Sequence, residues 1–266
     1  MHAVKASIRL VCIDFDGTAV DYDGEHAFIH PLMADLLNRL PERKIRWCVN
    51  SGRSVDDQRR IIRLSQARGL EHPPCALLCS EAFIFREDRG EYVSSEPWNS
   101  HAWILLRRFH ERVQRAIAPR LEDWKERYTP DVRIGEGFTV FCVSTEDGGA
   151  DRFSAELAAA VSGIPHMEIT RNGGWVVVLP DQLGKGNVLK HFYREIRGSR
   201  ESTLAIGDHL NDVSMLNGKA AKWVGCPGDA EPAVLETVRG AGGHVASVAG
   251  PEGTAEVIRR LVFENA

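Results

Sequence analysis

Ile8-Arg9-Leu10-Val11-Cys12-Ile13-Asp14-Phe15-Asp16-Gly17-Thr18 is the stretch whose reading decides the fold. Apart from Arg9, its first six residues are apolar. Such a run suits a strand buried on both faces, as in a parallel sheet. It stops abruptly at two aspartates and a glycine. Asp14 and Asp16 are two positions apart, so they face the same side if the extended conformation persists. Gly17 allows the chain to turn sharply there.

The same pattern recurs outward from this stretch. After His30, Pro31 suits the first position of a helix carrying Met33, Leu36, Leu37 and Leu40 on one face. Residues 45–49 read as a second strand, ending at Asn50-Ser51-Gly52-Arg53. Ser54 can cap the next helix, which carries Ile61, Ile62 and Leu64. Residues 75–79 form a third apolar run. This alternation predicts parallel strands joined by right-handed crossovers. It resumes late in the chain, with a helix over 186–196 and a strand over 203–206 ending at Gly207-Asp208. A short helix over 212–216, a strand over 222–224 and a last helix over about 254–263 follow.

The middle has a different texture. Residues 83–93 suit a hairpin around Asp88-Arg89-Gly90. A long helix over about 99–127 follows, with Leu106, Phe109, Val113, Ile117, Leu121 and Trp124 at helical spacing. A strand over 139–143 and a helix over 153–161 come next. Two further strands, 167–170 and 175–179, bracket the hairpin signal Asn172-Gly173-Gly174. The expected organisation is an α/β core from 1–84 and 181–266, with its parallel sheet, interrupted by an inserted α+β domain over 85–180.

Composition narrows the class. With 266 residues, 43% hydrophobic and 26% charged, the chain can bury a sizeable core without staples. A net charge of −4 gives no global attraction to nucleic acid or an anionic membrane. Arg107, Arg108, Arg112 and Arg115, interleaved with Glu111 and Gln114, read as a solvated helix face. The six cysteines form no CxxC pair and several sit in apolar runs, which favours a reducing compartment. Residues 1–7 read as running straight into the first strand, so no leader is expected, and no apolar run approaches the roughly 18 residues that span a bilayer. A soluble, cytoplasmic protein is expected, with neither nucleic acid nor membrane as partner.

Three apolar runs thus end in groups suited to phosphate chemistry: Asp14 with Asp16, Ser51, and Asp208. In open parallel sheets, ligands bind beyond the carboxyl ends of the strands, so these sets can converge. Gathered carboxylates repel one another and a phosphate, and a divalent cation relieves both conflicts. Donors that are all oxygen favour a hard ion, Mg2+. A carboxylate nucleophile can then form an acyl-phosphate, while Asp16 protonates the leaving oxygen and later deprotonates water. Ser51 and the backbone N–H groups after Asp14 and Gly52 can hold phosphate oxygens. Lys185, in Leu183-Gly184-Lys185-Gly186 at a helix start, can balance the acidic cluster and bind phosphate.

Four motifs in this order resemble the haloacid dehalogenase (HAD) superfamily of phosphotransferases: Asp14-Phe15-Asp16-Gly17-Thr18, Ser51-Gly52-Arg53, Lys185-Gly186, and Gly207-Asp208-His209-Leu210-Asn211-Asp212. The stretch 178–189 is similar to Cof-type and sucrose-phosphatase-like members, whose cap of two αββ units lies between the second and third motifs. The resemblance implies Asp14 as nucleophile and metal ligand, and Asp16 as general acid/base with its backbone carbonyl on the metal. It implies Asp208 as a further ligand and Asp212 as a partner of metal and lysine. Ser51, Gly52, Lys185 and Asn211 would bind phosphate. Ser80-Glu81-Ala82 departs from the Asn-Gly-Ala of many Cof-type members, and Ala19-Val20 from a bulkier pair.

The expected activity is Mg2+-dependent hydrolysis of a small phosphorylated metabolite, a sugar phosphate first. A phosphomannomutase-like sugar phosphomutase is the alternative, and a non-catalytic phospho-ligand binding protein the third reading. Arg171, Asn172 and Trp175, beside the inserted domain's hairpin turn, and His209 are candidates for choosing substrate. Residues 21–24 read as a turn, and His26 and His30 as ordinary loop histidines.

Overall fold

The apolar run that opens the chain forms β1 (Leu10–Ile13), buried along its whole length. This computed structural model describes residues 8–128, 131–135 and 138–264; residues 1–7, read above as a leaderless approach to the first strand, lie outside the described residues. The chain divides into two compact units, one of Met1–Ser95 with Lys185–Ala266 and one of Glu96–Gly184.

In the first unit β1 is followed by β2 (Val20–Asp23), β3 (His26–Ile29), α1 (Pro31–Asn38), β4 (Arg46–Ser51), α2 (Val55–Gln66), β5 (Ala76–Cys79), β6 (Phe83–Asp88) and β7 (Glu91–Ser94). Its second half supplies α6 (Lys185–Glu195), β12 (Thr203–Ile206), α7 (Val213–Leu216), β13 (Trp223–Cys226), α8 (Pro232–Gly240), β14 (His244–Val245) and α9 (Gly250–Ile258). An eight-stranded sheet runs in the order β14-β13-β12-β1-β4-β5-β6-β7. From β14 to β5 the strands are parallel, as the continuous apolar runs predict. β1 lies between β4 and β12, with Cys12 level with Cys48 and Ala205. The three strand ends singled out above therefore come from adjacent strands, each roughly 5 Å from the next. Helix faces close on the sheet: Met33 and Leu37 of α1 and Ile61 of α2 join Val11, Ile13 and Val49 in one core cluster. Each such aliphatic side chain stabilises by about 1.5–3 kcal/mol when buried.

Three sequence-based expectations shift here. Hairpin β6–β7 pairs antiparallel with β5 and extends the core sheet, so the division into units falls at Glu96 rather than near residue 85. Residues 21–23 are strand, not turn; β2 and β3 form a hairpin whose turn is at Gly24 and Glu25. His26 begins β3, and the ring of His30 caps α1 by accepting from the Leu32 N–H at 3.2 Å. A period-2 pattern was hidden because only Val20 of β2 is buried.

The second unit contains α3 (Trp98–Ile117), α4 (Leu121–Tyr128), β8 (Asp131–Gly135), β9 (Phe138–Cys142), α5 (Gly149–Val161), β10 (Met167–Asn172) and β11 (Trp175–Pro180). Its antiparallel sheet has the order β10-β11-β9-β8. The long helix expected over 99–127 is broken at residues 118–120, where Pro119 lacks a donor and its ring crowds the preceding turn. The core centres on Trp124, Phe141 and Phe153, with Phe153 5.1 Å from Trp124 and 5.0 Å from Phe141 between ring centres. The arginines of α3 named above are exposed. All six cysteines are free thiols. Among the described residues no helix is long and apolar enough to cross a membrane.

Candidate active site

Asp14 is the first residue beyond β1 and is fully buried. Its N–H donates to the Ile206 carbonyl at 3.0 Å, which extends the parallel ladder by one step. The chain then folds back, with the N–H groups of Thr18, Ala19 and Val20 all directed to the Phe15 carbonyl. Gly17 has φ +73°, and a Cβ there would lie 2.0 Å from Asp208 Oδ2. Glycine is thus required twice, for the backbone conformation and for the approach of Asp208. Thr18 Oγ1 donates to Asp208 Oδ1 at 2.7 Å, which ties the end of β1 to the end of β12.

The loop after β12 is held by Asp212. Its Oδ2 accepts the N–H groups of Asp208 and His209, each at 3.0 Å, and its Oδ1 accepts from Lys185 Nζ at 2.6 Å. Lys185, at the start of α6, is fully buried, and Nζ also lies 2.9 Å from Asp14 Oδ1. Asn50, at the end of β4, donates to the Lys185 carbonyl at 2.9 Å and so holds the helix start against the sheet.

Electrostatics follow from this crowding. Burial pushes the Asp14 carboxyl well above the ordinary carboxylate range, and Asp212, Asp208 and Asp16 add to it, while Lys185 opposes. Burial disfavours the Lys185 ammonium, but Asp14, Asp212 and Glu81 outweigh it and raise its pKa above that of an ordinary lysine. Burial also raises Asp208, against the opposing effect of His209, whose Nδ1 lies 2.7 Å from Asp208 Oδ2.

Asp14, Asp208 and Asp212 each offer an oxygen within 4.8 Å of the others. Asp14 Oδ2 is buried and lacks a hydrogen-bond partner. An orphaned carboxylate oxygen beside two more carboxylates is costly without a cation. The donor set, all oxygen, fits a hard divalent ion. The Asp212 oxygens are already engaged by Lys185 and two backbone N–H groups, so Asp212 holds the loop and the lysine more than it offers a free ligand.

Asp16 is not in that cluster. Arg53 Nε donates to its Oδ2 at 2.8 Å and Nη2 to its Oδ1 at 2.6 Å, and the Tyr22 hydroxyl also donates to Oδ1. Burial pushes the Asp16 carboxyl up, but the Arg53 bonds and charge with the Tyr22 bond prevail and hold it below the usual range. Ser51 is buried and its Oγ accepts the Arg53 N–H at 3.3 Å. Asn211 Nδ2 donates to Glu81 Oε1 at 3.0 Å, and that oxygen would lie 3.7 Å from a Cβ on Gly52. Ser80 and Glu81 both adopt left-handed backbone, at φ +52° and +56°. Such a residue costs about 1–2 kcal/mol relative to a glycine. This is the pair noted above as departing from the Asn-Gly of many Cof-type members.

The structure therefore brings Asp14, Lys185, Asp208 and Asp212 into direct contact, with Asn211 beside them through Glu81. His209, named above as a candidate for choosing substrate, turns its ring to Asp208. Arg171, Asn172 and Trp175 lie in the second unit at the β10–β11 turn. There Arg171 is held by Asp151, with Nε 3.0 Å from Oδ1, and Trp175 is partly exposed. Sequence reading missed Tyr22, the role of Arg53 as partner to Asp16, Asn50 and the buried Glu81. Of these, Glu81 carried a signal, as a charged residue two positions past the end of an apolar run.

The sequence profile of the haloacid dehalogenase-like hydrolases matches residues 80–239, more than half of the chain. With the aspartate-tipped parallel sheet, this places the chain in the haloacid dehalogenase-like hydrolase family. Among solved structures it is similar to the sucrose-phosphatase of Synechocystis sp. PCC6803 in complex with sucrose and phosphate, with a TM-score of 0.69 and 18% identity over 96% of this chain and 98% of that one. It is similar also to the HAD subclass IIB sugar phosphatase BT4131, with a TM-score of 0.65 and 19% identity over 95% and 98% of the two chains. The IMP-bound IMP-nucleotidase of Plasmodium falciparum has a TM-score of 0.67 and 12% identity over 97% of this chain and 69% of that one. At these identities the likeness is one of fold. No curated protein matches the chain in sequence.

Proposed function

We propose that the protein is a Mg2+-dependent phosphatase that hydrolyses a small phosphorylated metabolite, a sugar phosphate first, through an aspartyl-phosphate. The observation that carries this reading is Asp14: a buried carboxylate at the tip of the central strand, with one oxygen beside Lys185 and the other without a partner.

In the first half-reaction a carboxylate oxygen of Asp14 bonds to phosphorus and the bond from phosphorus to the leaving oxygen breaks. Asp16 gives that oxygen its proton; because Arg53 and Tyr22 hold its carboxyl low in the free protein, that proton is taken up when the negative phosphate binds beside it. In the second, Asp16 takes a proton from water, the water oxygen bonds to phosphorus, and the bond to Asp14 breaks to release inorganic phosphate. Ser51, Lys185, Asn211 and the N–H groups following Asp14 and Gly52 hold phosphate oxygens. Asp14 and Asp208, with the Asp16 carbonyl and Asp212 nearby, would hold Mg2+. When bound, the ion offsets the charge of the carboxylates and of the transferring group. Segment 96–184 is the substrate-selecting cap of this reading, with Arg171, Asn172, Trp175 and His209 as residues that discriminate leaving groups. Caps of this kind exclude water and choose substrate by closing.

The test is a phosphate-release screen over sugar phosphates, nucleotides and other small monoesters. Turnover should vanish with EDTA and return with Mg2+. Inactivity over the whole panel with Mg2+ present would sink the proposal. Isomerisation of a hexose phosphate without phosphate release would mark a mutase instead.

A further inference from the structure

We infer that Tyr22 is a positioning residue for Asp16, fixing where its carboxyl stands for proton transfer; this rests on the acid/base reading of Asp16 above. Tyr22 lies on β2, a short strand whose other polar residues, Asp21 and Asp23, face solvent. The residue is 50% exposed, so core packing does not explain its presence. What holds it is polar: the hydroxyl donates to Asp16 Oδ1 and accepts from Arg53 Nη2 at 3.1 Å.

A carboxylate has about four lone-pair sites. The Arg53 fork fills two of them from the loop after β4. Two parallel bonds from one flexible side chain leave the carboxylate and guanidinium free to swing together. The third donor comes from a different element, the β2–β3 hairpin, and removes that freedom. The hydroxyl remains a donor because burial and Asp16 push its pKa up to about 12.

In the step at issue, the bond from phosphorus to the leaving oxygen breaks, its electron pair stays on that oxygen, and the Asp16 proton moves there. The position of Asp16 therefore matters most when the leaving oxygen is strongly basic and little when it is a stable phenolate. A purely structural role for Tyr22 would slow all substrates alike.

The experiment measures kcat and KM of the full chain with Mg2+ over substituted phenyl phosphates, from phenyl phosphate to p-nitrophenyl phosphate. Tyr22→Phe keeps the ring and, being half exposed, should keep the melting temperature. The expected result is that kcat on phenyl phosphate falls about tenfold more than on p-nitrophenyl phosphate, with KM within about twofold, a part of the 10²–10⁴ that a general acid contributes. Arg53→Lys, which keeps charge but loses the fork, should shift the same ratio. Asp16→Asn is the reference and should shift it further. If Asp16→Asn steepens the leaving-group dependence and Tyr22→Phe does not, the role of Tyr22 is overturned while the acid stands. An equal loss on every substrate in Tyr22→Phe overturns it too. If Asp16→Asn itself leaves the dependence unchanged, the acid reading fails and this one with it.

Discussion

Asp14 is under two opposed demands. Full burial favours its neutral form, yet the proposed nucleophilic role needs it ionised, and the Lys185 ammonium 2.9 Å away supplies the counter-charge. Asp14→Asn keeps the shape and removes the proposed nucleophile. Phosphate release should fall by about 10⁴-fold or more, with the circular dichroism spectrum unchanged; near-normal release would show that another group attacks phosphorus. Gly17 tests the approach of Asp208 from the other side. In Gly17→Ala the new Cβ meets Asp208 Oδ2, and the positive φ alone costs about 1–2 kcal/mol. We expect a lower urea midpoint together with loss of activity. An alanine variant that keeps both would mean that Asp208 does not need this space.

At the scale of elements, α4 and α5 are joined through one carboxylate. Glu156 accepts from Trp124 Nε1 at 3.0 Å, from the Tyr128 hydroxyl at 2.7 Å and from Arg127 at 2.6–2.7 Å. Bonds from Arg127 and Tyr128 hold its carboxyl down at about 2, against an ordinary value of 4.5. A folded-state pKa below the unfolded one contributes stability that is present above pH 4.5 and is lost as pH falls towards 2. Glu156→Gln should therefore melt below the wild type near neutral pH, and the two should converge as pH approaches 2. A constant gap across that range, followed by thermal melts, would point to packing instead. The charges are partly exposed, so the effect is small and weakens with salt.

For the whole molecule, the division into units has an energetic basis. The second unit buries its own cluster of Trp124, Phe141, Phe153, Leu157 and Val176, separate from the cluster around β1. A segment with its own core can fold alone. Expressed by itself, segment 96–184 should melt cooperatively and show the near-ultraviolet signal of a packed Trp124; a broad transition without that signal would refute autonomy. Its outer boundary was not legible in the sequence. Hairpin 83–94 shows the same turn chemistry whether it joins the core sheet or an insertion, and its pairing with β5 decides between them. The break of the long helix at Pro119 was legible in principle, since proline interrupts the ladder wherever it stands.

Much of the candidate site could be read along the chain. Aspartates at strand ends, a serine after the next strand and a lysine at a helix start are local events, each tied to a change in hydrophobic pattern. Local pattern also determined the parallel sheet, because strands buried on both faces leave continuous apolar runs. What only the tertiary structure decided is which groups face one another across long separations. Tyr22 and Arg53 meet at Asp16, Glu81 meets Asn211, and Thr18 meets Asp208 from 190 positions away. Hydrogen bonds of that kind depend on directions fixed by strand order and turn geometry. A single exposed tyrosine or a glutamate in a left-handed turn carries no periodic signal of its partner.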